Sequence, residues 1–271
     1  MSSPVSIQSY NEYKSDGYTS LPELRLKADD VAELHAEIDR IVSTYPIDDT
    51  MFDESGTGKI KQIQELHKKS EAFARLVERI RPAAQELTGS KNLRVLNVQM
   101  FEKHPGISKP TRSHQDNAYF KLKPANAITF WVALDDIDEE NGALSYAPKT
   151  HLTPTRKHVR YHKATTFRVR SGVPGLSVCL KEHPEETDIR VDVTAGTVLA
   201  HHCNTIHRAG KNNSESRRRR AIGLVFIPEE CGPDERLHAY HAAQLAEDIK
   251  LQEVKNPVLY AKLSGASEDS R

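Results

Sequence analysis

The spacing of apolar positions divides the chain into three textures. In LRLKADDVAELHAEIDRIV, Val31, Leu34, Ile38 and Ile41 fall at helical intervals, with Asp29 and Asp30 near the positive N-terminal end. This predicts an amphipathic helix. A polar, glycine-containing stretch runs from Asp48 to Gly58, and KIKQIQELHKKSEAFARLVERIRPAAQEL then reads as helices interrupted near Pro82, whose ring breaks the hydrogen-bond ladder. From Leu93 the period shortens. RVLNVQMFEK, AITFWVALDD, GALSYAP, DIRVDVTAGTVLAHH and RRAIGLVFIP are short, rich in β-branched and aromatic residues, and separated by Gly, Pro, Asn and Asp. These are strands. From about residue 233, DERLHAYHAAQLAEDIKLQEV returns to helical spacing, and the end, SGASEDSR, is expected to fray.

So many short strands behind one helical layer predict a mainly β fold with flanking helices: two sheets closed over a cavity as a cupin-like jelly roll. One domain is expected over residues 1–271, with a helical layer at about 20–90, a jelly-roll core at about 93–228 and a C-terminal helical tail at about 233–264. At 271 residues, 37% hydrophobic and 28% charged, the chain can bury a full core. Lys plus Arg and Asp plus Glu balance at 38 each, so the net field favours neither nucleic acid nor an anionic membrane. A small-molecule partner is expected. No apolar run reaches membrane-spanning length, the start lacks a secretory pattern, and Cys179, Cys203 and Cys231 show no paired spacing. A cytoplasmic protein with buried free thiols is the expectation.

The candidate chemistry lies in two segments. SKPTRSHQDNAYF carries His114 and Asp116 two residues apart, so at a strand or strand end both side chains leave one face. His207, in AGTVLAHHCNTIH, would complete the set. Two imidazoles and one carboxylate on one face of an octahedron leave three adjacent positions open, which suits oxygen-activating Fe(II). Zinc at the HHC cluster of residues 201–203 is the competing reading, but no second Cys or His pair completes a tetrahedron. His201 and His202 then read as strand residues, one near the cavity and one outside.

A hairpin centred on Asn213 would set residue 219 opposite His207, and directly opposite residues share a face. Arg219 would then enter the cavity with the small residues Ala221 and Gly223, and could grip the distal carboxylate of 2-oxoglutarate with paired hydrogen bonds. The run Arg217 to Arg220 keeps Arg218 open as the alternative, because a one-residue slip exchanges the inward set. The run otherwise reads as alternating inward and solvent-facing side chains. DDIDEENG reads as a hairpin turn: Asn141 and Ala147 occupy the places where a calcium loop needs glycine and glutamate.

SHQD, WVALDDIDEENGALSYAPKTH and TIHRAGKNNSESRRRRAIGLVF together resemble the phytanoyl-CoA dioxygenase family of iron(II)/2-oxoglutarate oxygenases, from about Tyr13 to Pro228. The resemblance implies a double-stranded β-helix, iron at His114, Asp116 and His207, and co-substrate binding at Arg219, which stands two residues before Ala221. A connection after His207 that is one residue longer than the family's pattern again leaves Arg218 open. Gln99 and Trp131 resemble positions lining the 2-oxoglutarate pocket, although Trp131 equally reads as core. Pro148-Lys149-Thr150-His151 replaces the family's Pro-Gly-Ser-His at a turn. The implied activity is hydroxylation of a small molecule using O2 and 2-oxoglutarate, with release of succinate and carbon dioxide. Lys109, Arg112, Asn117, Tyr119 and Lys121 would suit an anionic substrate group or a solvated rim. The competitors are a related oxidation (desaturation or ring formation) and a cupin-like metal- or ligand-binding module without turnover. Halogenation is disfavoured because Asp116 fills the position a halide would need.

Overall fold

The computed structural model describes residues 3–45, 50–54, 57–160 and 178–255. The chain divides into two compact units, Met1–Gly232 and Pro233–Arg271. In the second, α6 spans Glu235–Lys255. The terminal segment read as frayed, and the part of the helical tail beyond residue 255, lie outside the described residues.

The first unit opens with α1 (Ile7–Asp16), β1 (Tyr18–Ser20), α2 (Ala28–Thr44), β2 (Met51–Asp53), β3 (Ile60–Ile63), α3 (Leu66–Lys69) and α4 (Glu71–Thr88). The long strand β4 (Leu93–Lys103) leads to β5 (Thr111–His114), the single turn α5 (Asn117–Phe120) and β6 (Leu122–Lys123). Then come β7 (Ile128–Ala133), β8 (Leu144–Ala147), β9 (His158–Arg160), β10 (Val178–Leu180), β11 (Ile189–Val191), β12 (Val198–His202), β13 (Ile206–Ala209) and β14 (Arg219–Pro228). A seven-stranded sheet in the order β1-β12-β7-β14-β4-β3-β2 faces a four-stranded sheet, β11-β8-β13-β5, in an antiparallel jelly roll.

Strand β14 is buried along its whole length, so its two faces differ in size and not in polarity. Ile222, Leu224 and Phe226 point outward into a core shared with Ile38 and Ile41 of α2 and Phe73 and Ile80 of α4. Each such side chain stabilises the helix-on-sheet layer by about 1.5–3 kcal/mol. Ala221 points the other way and joins Trp131, Ala133, Leu199 and Tyr146 between the sheets. The alternation has period two, as a strand requires.

The structure corrects four expectations. Residues 60–63 form a strand beside β4, because pairing of Gln62 with Phe101 and Ile63 with Met100 outweighs a local pattern that suits a helix. Helix α4 runs through Pro82 without interruption: Pro82 lies on its exposed side, where the carbonyl left without a donor can be hydrated. Neither DDIDEENG nor the segment around Asn213 is a hairpin turn. The first links β7 to β8 and the second links β13 to β14, and each pair is divided between the two sheets.

The outward face of β14 also carries Arg220, 5% exposed, which donates to Glu102 at 2.8 Å and meets Asp39 at 2.8 Å. Glu102→Gln removes one partner of a buried cation. It is expected to cost about 3 kcal/mol in urea unfolding, with Asp39 limiting the loss. Unchanged stability would show that Asp39 alone suffices.

Candidate metal centre

His114 ends β5 and His207 lies in β13, and the two are direct partners across the strand pair. Their ring centroids are 4.3 Å apart. Asp116 stands beyond the strand with helical backbone (φ −58°, ψ −33°), capping α5. The chain therefore brings Asp116 beside His114 by turning from strand to helix. The carboxylate Oδ1 is 3.6 Å from His114 Nε2 and 3.7 Å from His207 Nε2. Among the described residues this is the one group of three or more His, Cys, Asp or Glu placed to share an ion, its donor atoms lying within 4.8 Å of one another. Cys203 is not part of it.

Each histidine is oriented from behind. His114 Nδ1 donates to the Arg112 carbonyl at 2.8 Å, and His207 Nδ1 to the Thr205 carbonyl at 3.0 Å. This fixes the tautomers and leaves both Nε2 lone pairs facing Asp116. Burial, reinforced by His114 and His201, pushes His207 well below its ordinary pKa and keeps it neutral. Burial opposes ionisation of Asp116, but the imidazoles around it, with His201 as hydrogen-bond donor to Oδ2, override it and hold the carboxyl well below its usual range. Neutral imidazoles and an ionised carboxylate are the ligand forms that metal binding requires.

The facing sheet carries the other predicted residues. Arg219 is 2% exposed and points between the sheets, on the same face as Ala221. It donates to the Gly142 carbonyl at 3.2 Å, and its Nε is buried without a hydrogen-bond partner among the described residues. The guanidinium carbon lies 5.6 Å from the centre of the Trp131 ring. Burial lowers its pKa to about 10, so it remains a cation at neutral pH. Gly223 pairs with both Gln99 and Trp131, and a Cβ there would meet Phe101 at 3.1 Å, so glycine keeps this wall open. Gln99 accepts from Gln62 Nε2 at 2.8 Å.

The arginine run resolves into four environments. Arg217 pairs with Asp138 and Glu140, Arg218 is exposed, Arg219 faces inward, and Arg220 faces the helical layer. The outward arginine thus meets carboxylates and not the solvent that simple alternation predicts. Of the rim residues, Tyr119 stands edge-on to His114 at 5.8 Å, while Asn117 is committed to Leu122 and Thr155. His151, at the altered turn, lies apart from the triad and is near Lys14.

Sequence reasoning assigns no role to His201, Thr129, Tyr146 or Lys103. His201 is the inward member of the His201-His202 pair, with Nε2 3.2 Å from Asp116 Oδ2. Lys103, directly opposite Arg219, is buried and donates to the Lys109 carbonyl at 2.7 Å. Burial and the Arg219 charge push it well below its ordinary pKa. Its position at the inward end of β4 is the one sequence signal that points to it.

Among known proteins, the peroxisomal phytanoyl-CoA dioxygenase of Rattus norvegicus is 24% identical over 244 residues, 84% of this chain and 70% of the relative. The ectoine dioxygenase of Streptomyces avermitilis is 27% identical over 225 residues, 77% of this chain and 74% of the relative. The solved structure of SnoN, a non-heme alpha ketoglutarate dependent epimerase from nogalamycin biosynthesis, superposes with a TM-score of 0.64 at 25% identity, covering 83% of this chain and 81% of that one. Residues 13–221 match the family model described as phytanoyl-CoA dioxygenase (PhyH), and the chain belongs to that family.

Proposed function

We propose that this protein is an iron(II)- and 2-oxoglutarate-dependent dioxygenase that hydroxylates a small molecule and releases succinate and carbon dioxide. The observation that carries the reading is the pairing of an open His114–Asp116–His207 triad with a buried arginine on the facing sheet that has no carboxylate partner within ion-pair distance among the described residues. The donor set fits iron(II): two imidazoles and one carboxylate suit a facial triad, an arrangement that leaves adjacent positions open. Iron(II), when bound there, supplies the oxygen activation that couples 2-oxoglutarate decarboxylation to oxidation of a C–H bond.

The chain's own residues bind and orient. His114, Asp116 and His207 hold the metal, with both imidazoles locked by backbone carbonyls. Arg219 holds the distal carboxylate of 2-oxoglutarate with its uncommitted N–H groups, in a site dry enough to strengthen that pairing. Trp131 and Gln99 form its walls, and Gly223 leaves it room. Lys109 and Arg112, both exposed, suit an anionic group on the substrate. Among the described residues no helix is long and apolar enough to cross a membrane, and three buried free cysteines suit the cytoplasm.

Because SnoN is an epimerase, a reaction other than hydroxylation on the same scaffold is the second reading. Protein reconstituted with iron(II) is expected to convert 2-oxoglutarate to succinate in an O2-dependent manner, slowly without substrate and faster with it. An added oxygen atom in the product separates hydroxylation from desaturation, ring formation or epimerisation. Saturable iron binding with no succinate would overturn the reading in favour of a cupin-like binding module.

A further inference from the structure

We propose that His201, fixed by Tyr146, is a positioning residue that keeps Asp116 a one-oxygen ligand; this rests on the reading of the triad as a metal site. The two oxygens of Asp116 have different surroundings. Oδ1 faces the two histidine Nε2 atoms, at 3.6 and 3.7 Å. Oδ2 accepts from the Thr129 hydroxyl at 2.7 Å and lies 3.2 Å from His201 Nε2. Thr129 and His201 are direct partners across β7 and β12, so one rung of the facing sheet delivers both groups to the same oxygen.

The direction of the hydrogen bonds follows from the acceptor. An ionised carboxylate can only accept, so His201 Nε2 carries a proton, and in the tautomer protonated there alone Nδ1 presents a lone pair. That lone pair receives the Tyr146 hydroxyl, 3.1 Å away. Tyr146 is fully buried and stacks on Tyr18 with centroids 4.4 Å apart and planes 11° apart. Tyr18 is itself the strand partner of His201. The imidazole is thereby held in plane and in tautomer from its far side.

Chelation by both oxygens would take Oδ2 from two buried donors, at 2% exposure for His201 and 5% for Thr129, and leave them unmatched. It would also fill one of the positions that the co-substrate and O2 require. His201 is not a fourth ligand in this arrangement. Its ring lies 4.5 Å from that of His207, but its Nε2 is committed to the carboxylate oxygen that faces away from the triad.

The test uses His201→Phe, His201→Gln, Tyr146→Phe and Thr129→Val in the full chain. Iron(II) affinity is measured by chelator competition, coordination number by absorption of the Co(II)-loaded protein, and stability by thermal unfolding without metal. His201→Phe is expected to weaken iron(II) binding by roughly 10–100-fold and to change the Co(II) spectrum. His201→Gln, whose amide N–H can reach Oδ2, recovers much of the affinity. Tyr146→Phe, which frees the ring without removing its donor, loses less. Parental affinity and an unchanged Co(II) spectrum in His201→Phe overturn the inference. So does equal loss in the Phe and Gln variants that merely tracks falling stability. Should His201→Phe not fold, parental iron affinity in both Tyr146→Phe and Thr129→Val overturns it equally. A parent protein that binds no iron(II) defeats the metal site itself, whereas a binding parent with unaffected variants defeats only the role of His201.

Discussion

In the His114→Ala and Asp116→Ala proteins, iron binding and succinate formation are expected to fall below detection while the far-ultraviolet spectrum remains that of the parent. A three-ligand site has no spare donor, and Asp116 supplies its only negative charge. The fold does not depend on either side chain to a comparable degree. Beyond the triad, the His114 ring is hydrogen-bonded to the Arg112 carbonyl, and loss of the Asp116 carboxylate leaves the donors of Thr129 and His201 unmatched. Those donors cost about 1–3 kcal/mol, enough to lower the melt without unfolding a domain of ordinary stability. Iron analysis, circular dichroism and an O2-dependent turnover assay on the same samples check the result. Full activity in either variant would sink the triad.

The second large effect separates neighbours in sequence. Arg219→Ala is expected to weaken 2-oxoglutarate binding by about thirtyfold or more, corresponding to roughly 2–5 kcal/mol for loss of a buried charged partner. Arg218→Ala is expected to change it little, because Arg218 is exposed and surface charges contribute about 1 kcal/mol or less. Anaerobic titration of 2-oxoglutarate into the iron(II) proteins, followed by the charge-transfer band, reads both. The reverse order, with Arg218→Ala losing the band, would require the co-substrate to lie outside the sheet interior.

The inward direction of Arg219 is legible in the sequence, though not through hairpin register. A hairpin centred on Asn213 would place it opposite His207, yet β13 and β14 lie in different sheets. Both side chains face the cavity because each sheet presents one face to the other. What marks the face is size: Ala221 and Gly223 alternate with Ile222, Leu224 and Phe226, and only the helical layer has room for the larger set. Strand β3 is not legible, since KIKQIQ becomes a strand only through its long-range pairing with β4. Nor is His201, because two adjacent histidines on a strand give no local sign of which points inward. The triad can be read directly, since metal chelation needs particular side chains more than it needs a particular backbone.

The division of the site between two sheets has a mechanical consequence. His114 and His207 belong to the four-stranded sheet, and Arg219 to the seven-stranded one. A molecule anchored at both ends acts as a removable crossbar between two walls, and resists their parting for as long as it stays. Its binding energy adds to the work of opening the jelly roll, growing with the logarithm of its concentration. Metal and co-substrate together should therefore slow proteolysis and amide exchange between the walls more than metal alone does. Succinate, one carbon shorter, would brace the same gap less well, so the protein would loosen around its product and stiffen around its co-substrate.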